Sequence, residues 1–238
     1  MAKIAPDVYP MRINKYLAHK GVATRTGVDE LIRAGKVMIN DRIAKLGDKI
    51  LKKDKVEVRG KHTKKKLIYF AYNKPKGVVS TNPKTNEKDI LQGLNLPTGV
   101  FPVGRLDKES HGLIILTNDG RVTDRLLNPM YNHEKEYVVK INRHFTPGFL
   151  QNMRDGVKLA NEQTKKALVK KIGEETFDII LTEGKNRQIR RMTEKLGYTV
   201  QDLQRLRIQN IELGKTHTNS CREINGNELL QFLKSIGL

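Results

Sequence analysis

The chain has a single cysteine, Cys221, in 238 residues. That excludes an internal disulfide and any zinc site built on paired thiolates, and the six histidines show no HExxH-like spacing. Long apolar runs are missing too. The longest is the six residues from Leu67 to Tyr72, against the roughly 20 that a membrane-crossing helix needs. Tryptophan is absent, and residues 1–66 have no phenylalanine either, so the front of the chain lacks the bulky apolar face of a membrane-surface helix. The first ten residues, MAKIAPDVYP, carry an acid and two prolines where an export signal needs an apolar segment, so a cytoplasmic protein is expected. There is no GxGxxG, and Gly214-Lys215-Thr216 fails as a phosphate loop because Gln209 stands where the leading glycine belongs. Acids are scarce: 26 Asp and Glu face 45 Lys and Arg, for a net charge of +19. Such an imbalance exceeds what solubility requires and points to a polyanionic partner, with nucleic acid favoured.

The excess is concentrated at the front, where residues 1–66 hold 18 basic and 7 acidic side chains. Ile13, Tyr16 and Leu17 predict a short helix from Arg12 to His19, ended by Gly21. Thr26 and Asp29 have capping-box spacing for a second helix with Val28, Leu31 and Ile32 on its apolar side and Gly35 at its end. Residues 36–40 and 54–58 alternate as strands. Arg12, Lys15, Arg25, Arg33 and Lys36 are left on the polar sides as candidates for phosphate contacts. Residues 61–66, four of them lysine and none apolar, read as a basic linker, and a second domain is expected over 67–238.

That second domain opens with a buried-type strand from Leu67 to Tyr72, broken by a Lys74-Pro75-Lys76-Gly77 turn. Its centre is FPVGRLDKESHGLIILTNDG, residues 101–120, in which a constrained loop presents Asp107 in front of the apolar strand 113–116. Gly104 and Gly112 mark places where the backbone needs positive φ or a close approach. A helix over 121–127, a strand from Tyr137, a helix after Thr146-Pro147 and strands at 167–171 and 177–181 follow. Then comes EGKNRQIRRM, where Lys185, Arg187, Arg190 and Arg191 crowd the start of a helix whose dipole they oppose. An anion nearby, RNA phosphate or a carboxylate, would make that cluster tolerable; the plain alternative is an Arg190–Glu194 surface pair. A last helix, capped by Asn227, carries Leu229, Leu233 and Ile236.

The string GRLDKESHGLIILTNDG resembles the catalytic motif of the pseudouridine synthases, in the RsuA-like branch that modifies ribosomal RNA and carries an N-terminal RNA-binding domain. KPKG, HEKEYVV and EGKNRQIRRM are similar to that family's other conserved segments, and ATRTGVDELIRAGKVMIN is similar to the S4-type RNA-binding domain, with Thr24 in place of its usual serine. The resemblance implies an α+β protein: a small N-terminal α/β RNA-binding domain over residues 1–60, joined to a catalytic domain with a mainly antiparallel mixed sheet flanked by helices. It implies Asp107 as the one catalytic carboxylate, Arg190 as its bidentate salt-bridge partner, and Tyr137 as a stacking platform and proton acceptor. Arg105 would hold the target nucleotide out of its stack, and Lys74, Lys185, Arg187 and Arg191 would contact RNA. The reaction breaks the ribose-to-nitrogen bond of a uridine, turns the base and rejoins it through carbon. It consumes no water, redox equivalent or phosphate energy, so no cofactor and no metal are expected. A stem-loop of 23S ribosomal RNA is the favoured substrate and a tRNA anticodon stem-loop the second, with the protein acting as a monomer. Two rivals stay open at this point. One is a non-catalytic RNA-binding or ribosome-assembly protein; the other is a metal-dependent nuclease using Asp107 and Asp119.

Overall fold

Ile13 and Leu17 on one short helix and Val28 and Ile32 on the next face each other, and this contact seeds a small core of its own at the front of the chain. A computed structural model describes residues 9–60, 66–85, 87–160 and 162–238, so the N-terminal leader and nearly all of the expected basic linker lie outside the described residues. The front unit runs β1 (Met11–Arg12), α1 (Ile13–His19), α2 (Arg25–Arg33), β2 (Val37–Ile39), β3 (Arg42–Ile43), β4 (Lys49–Ile50) and β5 (Val56–Val58). β3, β2 and β5 form a three-stranded antiparallel sheet under the helices. The second helix begins earlier than a Thr26 cap would allow. Thr24 is its N-cap, the Thr24 hydroxyl accepting from the Gly27 N–H at 3.2 Å, while Asp29 accepts from the Asn14 amide at 2.9 Å and ties the two helices together.

The remainder comprises β6 (Tyr69–Lys74), β7 (Phe101–Val103), β8 (His111–Thr117), α3 (Gly120–Leu127), β9 (Lys135–Ile141), α4 (Pro147–Asp155), β10 (Lys158–Leu159), β11 (Glu162–Gln163), β12 (Leu168–Lys171), β13 (Thr176–Leu181), α5 (Gln188–Lys195), β14 (Val200–Ile208), β15 (Ile211–Glu212), β16 (Cys221–Glu223) and α6 (Gly226–Ser235). One sheet runs β12-β13-β9-β14-β8-β6-β16, with β15 on β14 and β7 on β8. Every pairing in it is antiparallel except β14 with β8, so the fold is α+β with a mixed, mostly antiparallel sheet flanked by helices. Alternation along β8 feeds two cores: Leu113 and Ile115 pack with Val122, Leu126 and Phe232 of α3 and α6, whereas Ile114 and Leu116 join the core around Phe149, Phe177 and Met192 under α4 and α5. Each fully buried side chain of this size contributes about 1.5–3 kcal/mol over its exposed state. The last helix starts two residues before the expected cap, at Asn225 rather than Asn227.

The parallel step between β8 and β14 holds the middle of the sheet together. Gly112 sits opposite Arg205 with φ +101°, and a Cβ there would lie 2.3 Å from the Arg205 carbonyl oxygen, so only glycine lets the strands close. The front unit rests against this domain through α1 and α3, where Lys15 Nζ meets Asp124 Oδ1 at 3.0 Å. No helix among the described residues is long and apolar enough to cross a membrane.

Candidate active site

The loop between β7 and β8 is held from several sides before any ligand arrives. Ser80 grips Leu106 twice, its hydroxyl donating to the Leu106 carbonyl at 2.8 Å and accepting from the Leu106 N–H at 3.0 Å. The Gly77 N–H donates to Lys108 O at 2.8 Å, and Ser110 N–H donates back to Asp107 O at 3.0 Å. Lys74 supplies the central tie. Its side chain is fully buried, and Nζ donates to the carbonyls of Pro75 (2.8 Å), Lys108 (3.3 Å) and Ser110 (2.7 Å). Burial, partly offset by Glu109 and Asp107, pushes this ammonium down to about 8. Lys74 therefore points inward to fasten the loop, and the RNA contact expected of it is not available. The KPKG segment is thus more than a turn, since it braces the carboxylate loop from behind.

On this brace Asp107 stands partly exposed, with Oδ2 3.8 Å from Arg190 Nε and 3.8 Å from Arg187 Nη1. The expected bidentate pair with Arg190 is not what forms. The terminal nitrogens of Arg190 are taken by Ser110 Oγ (3.0 Å), Glu109 O (3.3 Å) and Val200 O (3.4 Å), and the buried Nε, which has no hydrogen-bond partner, is what faces the carboxylate. Burial and the neighbouring Arg187 lower the Arg190 guanidinium below its ordinary range, while Asp107 pulls the other way; a guanidinium stays charged regardless. Arg187 occupies the left-handed region, φ 47°, at the start of α5, which swings its half-exposed side chain over Asp107. The Arg190–Glu194 pair does not form.

Tyr137 enters from β9, opposite Arg205 on β14, with the Arg205 guanidinium carbon 6.0 Å from the ring centre. Asp107, Tyr137 and Arg190, with Arg105, Lys185 and Arg187, line one small chamber of about 90 Å³. It opens into a larger cleft of about 490 Å³ that reaches His133, Lys135 and Arg205. Lys185 and Arg191 meet Glu162 at 3.0 and 2.9 Å, so these cations are already partly neutralised. Exposed Arg105 stands beside Asp107, while Arg12, Arg25, Arg33 and Lys36 are exposed on the front unit and form no ion pair among the described residues. Lys15 is turned to Asp124. Asp119 caps α3 at the far end of β8, buried between Arg121 and the Tyr69 hydroxyl, and does not converge with Asp107 on a shared site.

Four contributors escaped the sequence reading: Ser80, Ser110, Lys135 and Arg205. Lys135 lies two residues before Tyr137, a spacing that puts both on one side of a strand, and this signal was present. Arg205 gave a misleading one. A bulge between Arg205 and Arg207 sets Arg205 opposite Tyr137 and Arg207 opposite Glu136, so arginines two residues apart do not share a side.

Comparison with known proteins bears on the chain as a whole. A family model described as RNA pseudouridylate synthase matches residues 68–195, and one described as the S4 domain matches residues 11–56. The dual-specificity RNA pseudouridine synthase RluF of Escherichia coli K12 is 39% identical over 230 residues, covering 95% of this chain and 79% of that protein. Ribosomal large subunit pseudouridine synthase B of Bacillus subtilis is 35% identical over 228 residues, covering 92% and 93%. A crystal structure of a pseudouridylate synthase superimposes with a TM-score of 0.70 at 27% identity, over 93% of this chain and 99% of that one.

Proposed function

Because the chain belongs to the RNA pseudouridylate synthase family, we propose that it converts one uridine in a stem-loop of large-subunit ribosomal RNA to pseudouridine, with Asp107 as the sole catalytic carboxylate. One observation carries the assignment: Asp107 is the carboxylate that two guanidinium groups, Arg187 and Arg190, flank at 3.8 Å inside the chamber that Tyr137 lines. A base flipped out of its stack would lie with one face on the Tyr137 ring. Asp107 then reaches the glycosidic carbon or the base as nucleophile, or removes a ribose proton; the C1′–N1 bond breaks, the uracil turns, C5 bonds to C1′, and the C5 proton is lost as N1 gains one, so the product is an isomer. Arg190 holds the loop at Glu109 and Ser110 while its Nε faces the carboxylate, so one side chain both positions and electrostatically supports the acid. Arg105 and Arg187 at the exposed rim supply contacts to the displaced strand, and the exposed cations of the front unit grip the stem by its phosphates. The protein acts as a monomer on this reading, and no step calls for a cofactor or metal. The name of one relative, ribosomal large subunit pseudouridine synthase B, supports ribosomal RNA as the first choice, with a tRNA anticodon stem-loop second.

The test is Asp107→Asn, nearly isosteric and equally able to accept the turn's hydrogen bonds. Single-turnover assays with excess enzyme on candidate stem-loops should show a loss of at least about three orders of magnitude. Thermal unfolding and RNA affinity should stay close to wild type. An Asn variant within tenfold of the wild-type rate would reject the assignment, and binding without any pseudouridine in wild type would favour the assembly-factor reading.

A further inference from the structure

The cleft continues past Tyr137 to an end that the isomerisation itself leaves unused. Lys135 and Arg205 meet there. The neighbouring carboxylates, Glu134 just before β9 and Glu136 on it, are engaged elsewhere, since they pair with Arg207 at 3.1 and 2.5 Å. Arg205 is 4% exposed; its Nε donates to Leu113 O at 2.6 Å, and Nη2 is buried without a hydrogen-bond partner. Lys135 Nζ has one bond, to the His133 carbonyl at 3.2 Å. Burial and the charge of Arg205 push this ammonium down to about 8, with no carboxylate acting on it.

The other neighbour is neutral. The Glu134 N–H donates to Gln209 Oε1 at 3.0 Å, which fixes the amide so that Nε2 donates to His133 Nδ1 at 2.8 Å. His133 therefore carries its proton on Nε2, which is buried without a hydrogen-bond partner, and burial with Lys135 beside it holds the ring below its usual range. Two carboxylates line the whole cleft. Glu183 is held by the Gln188 amide and the Lys165 N–H, and Asp107 lies at the other end between its two arginines. Two adjoining cations with spare donors and no counter-charge are costly unless an anion completes them.

We infer that the Lys135–Arg205 end of the cleft is a phosphate subsite, which takes a phosphate flanking the uridine held between Tyr137 and Asp107. This rests on the RNA-modifying reading above and adds a named anchor to it. A phosphate docked there would fix the sugar–phosphate chain on one side of the target while Arg105 and Arg187 act at the rim. It would also let the site recognise a nucleotide within a strand rather than a free nucleoside.

The experiment uses the full chain and four probes: uridine, uridine 5′-monophosphate, uridine 3′-monophosphate and inorganic phosphate. Binding is followed by calorimetry and by the side-chain resonance of Lys135, identified through its loss in Lys135→Met. At least one monophosphate should bind about tenfold tighter than uridine, as one charge-assisted hydrogen bond contributes. Inorganic phosphate should move the same resonance at higher concentration. The advantage should vanish in Lys135→Met, return in Lys135→Arg, and in wild type decline as pH rises past about 8. The preferred monophosphate, 5′ or 3′, identifies which flanking phosphate is held. Equal binding of uridine and both monophosphates, or an advantage that survives Lys135→Met, overturns the subsite. Pseudouridine formation in stem-loops is scored separately with Asp107→Asn, so failure of the catalytic reading shows there and not in these binding data.

Discussion

Replacing Arg190 with lysine keeps a charge but removes a fork. Its two terminal nitrogens hold Ser110, Glu109 and Val200 while Nε faces Asp107, and an ammonium cannot reach these points together. Losing one charged hydrogen bond costs about 1.5–3 kcal/mol, so Arg190→Lys and Arg190→Met should both slow single turnover roughly ten- to hundredfold, with RNA affinity changed much less. An Arg190→Lys enzyme at the wild-type rate would remove the fork from the mechanism. Lys74 makes a different prediction, about stability. Its ammonium is lowered to about 8 in the fold from 10.5. Between those pH values the unfolded chain binds the extra proton, so this group adds stability as pH rises through that window and withdraws it as pH falls back through about 8. Urea unfolding at pH 8 and pH 10 should show a larger gain for wild type than for Lys74→Met, by about 1–3 kcal/mol. An equal gain in the two proteins would mean the lysine is not charged and desolvated as described.

At the level of elements, Gly112 marks where the sheet tolerates nothing larger. Gly112→Ala should cost about 3 kcal/mol or more in unfolding free energy, because its Cβ would press into the Arg205 carbonyl. Gly120→Ala, at a helical position with open space around it, is the control and should be neutral or slightly stabilising. Unfolding curves for the two variants that coincide would contradict the close strand approach. Much here was legible in the residues: the Asp107 loop with β8 behind it, the positive φ at Gly104 and Gly112, and the helix opening with Arg190 all follow from local pattern. What stayed hidden depends on contacts distant in sequence. Thr26 and Thr24 are equally good caps on paper, and Asp29 was drawn away from a capping box by Asn14 on the neighbouring helix. Lys74 looks like a surface lysine until the distant Lys108 and Ser110 carbonyls join that of its neighbour Pro75 around it. Strands of two residues such as β1 and β4 have no period of their own to read. The β14 bulge defeats alternation because it is written in tertiary register, not in residue type.

For the whole molecule, charge and connectivity set the expectations. Deleting residues 1–60 removes Arg12, Arg25, Arg33 and Lys36, so RNA affinity should fall and its salt dependence flatten, by about 0.7–0.9 in log–log slope per lost phosphate contact. The deletion also frees Asp124 from Lys15, a half-exposed pair worth no more than about 1 kcal/mol, so the larger domain should keep its unfolding transition. An unchanged slope would show that the front unit does not grip RNA. The parallel contact of β8 with β14 has a further consequence, in time rather than in space. It joins Gly112 to Arg205 across some ninety intervening residues, and the groups around Asp107 lie before that span (Arg105), within it (Tyr137, Arg187 and Arg190) and at its end (Arg205). Closing so long a loop is slow, and chain order makes β14 one of the last pieces to arrive. After dilution from denaturant, helical signal from the front unit should return first, and turnover should lag behind it. On the ribosome the same order applies: the front unit emerges while β14 is still inside the exit tunnel, so on the proposed reading a nascent chain should gain its grip on RNA before it gains its chemistry.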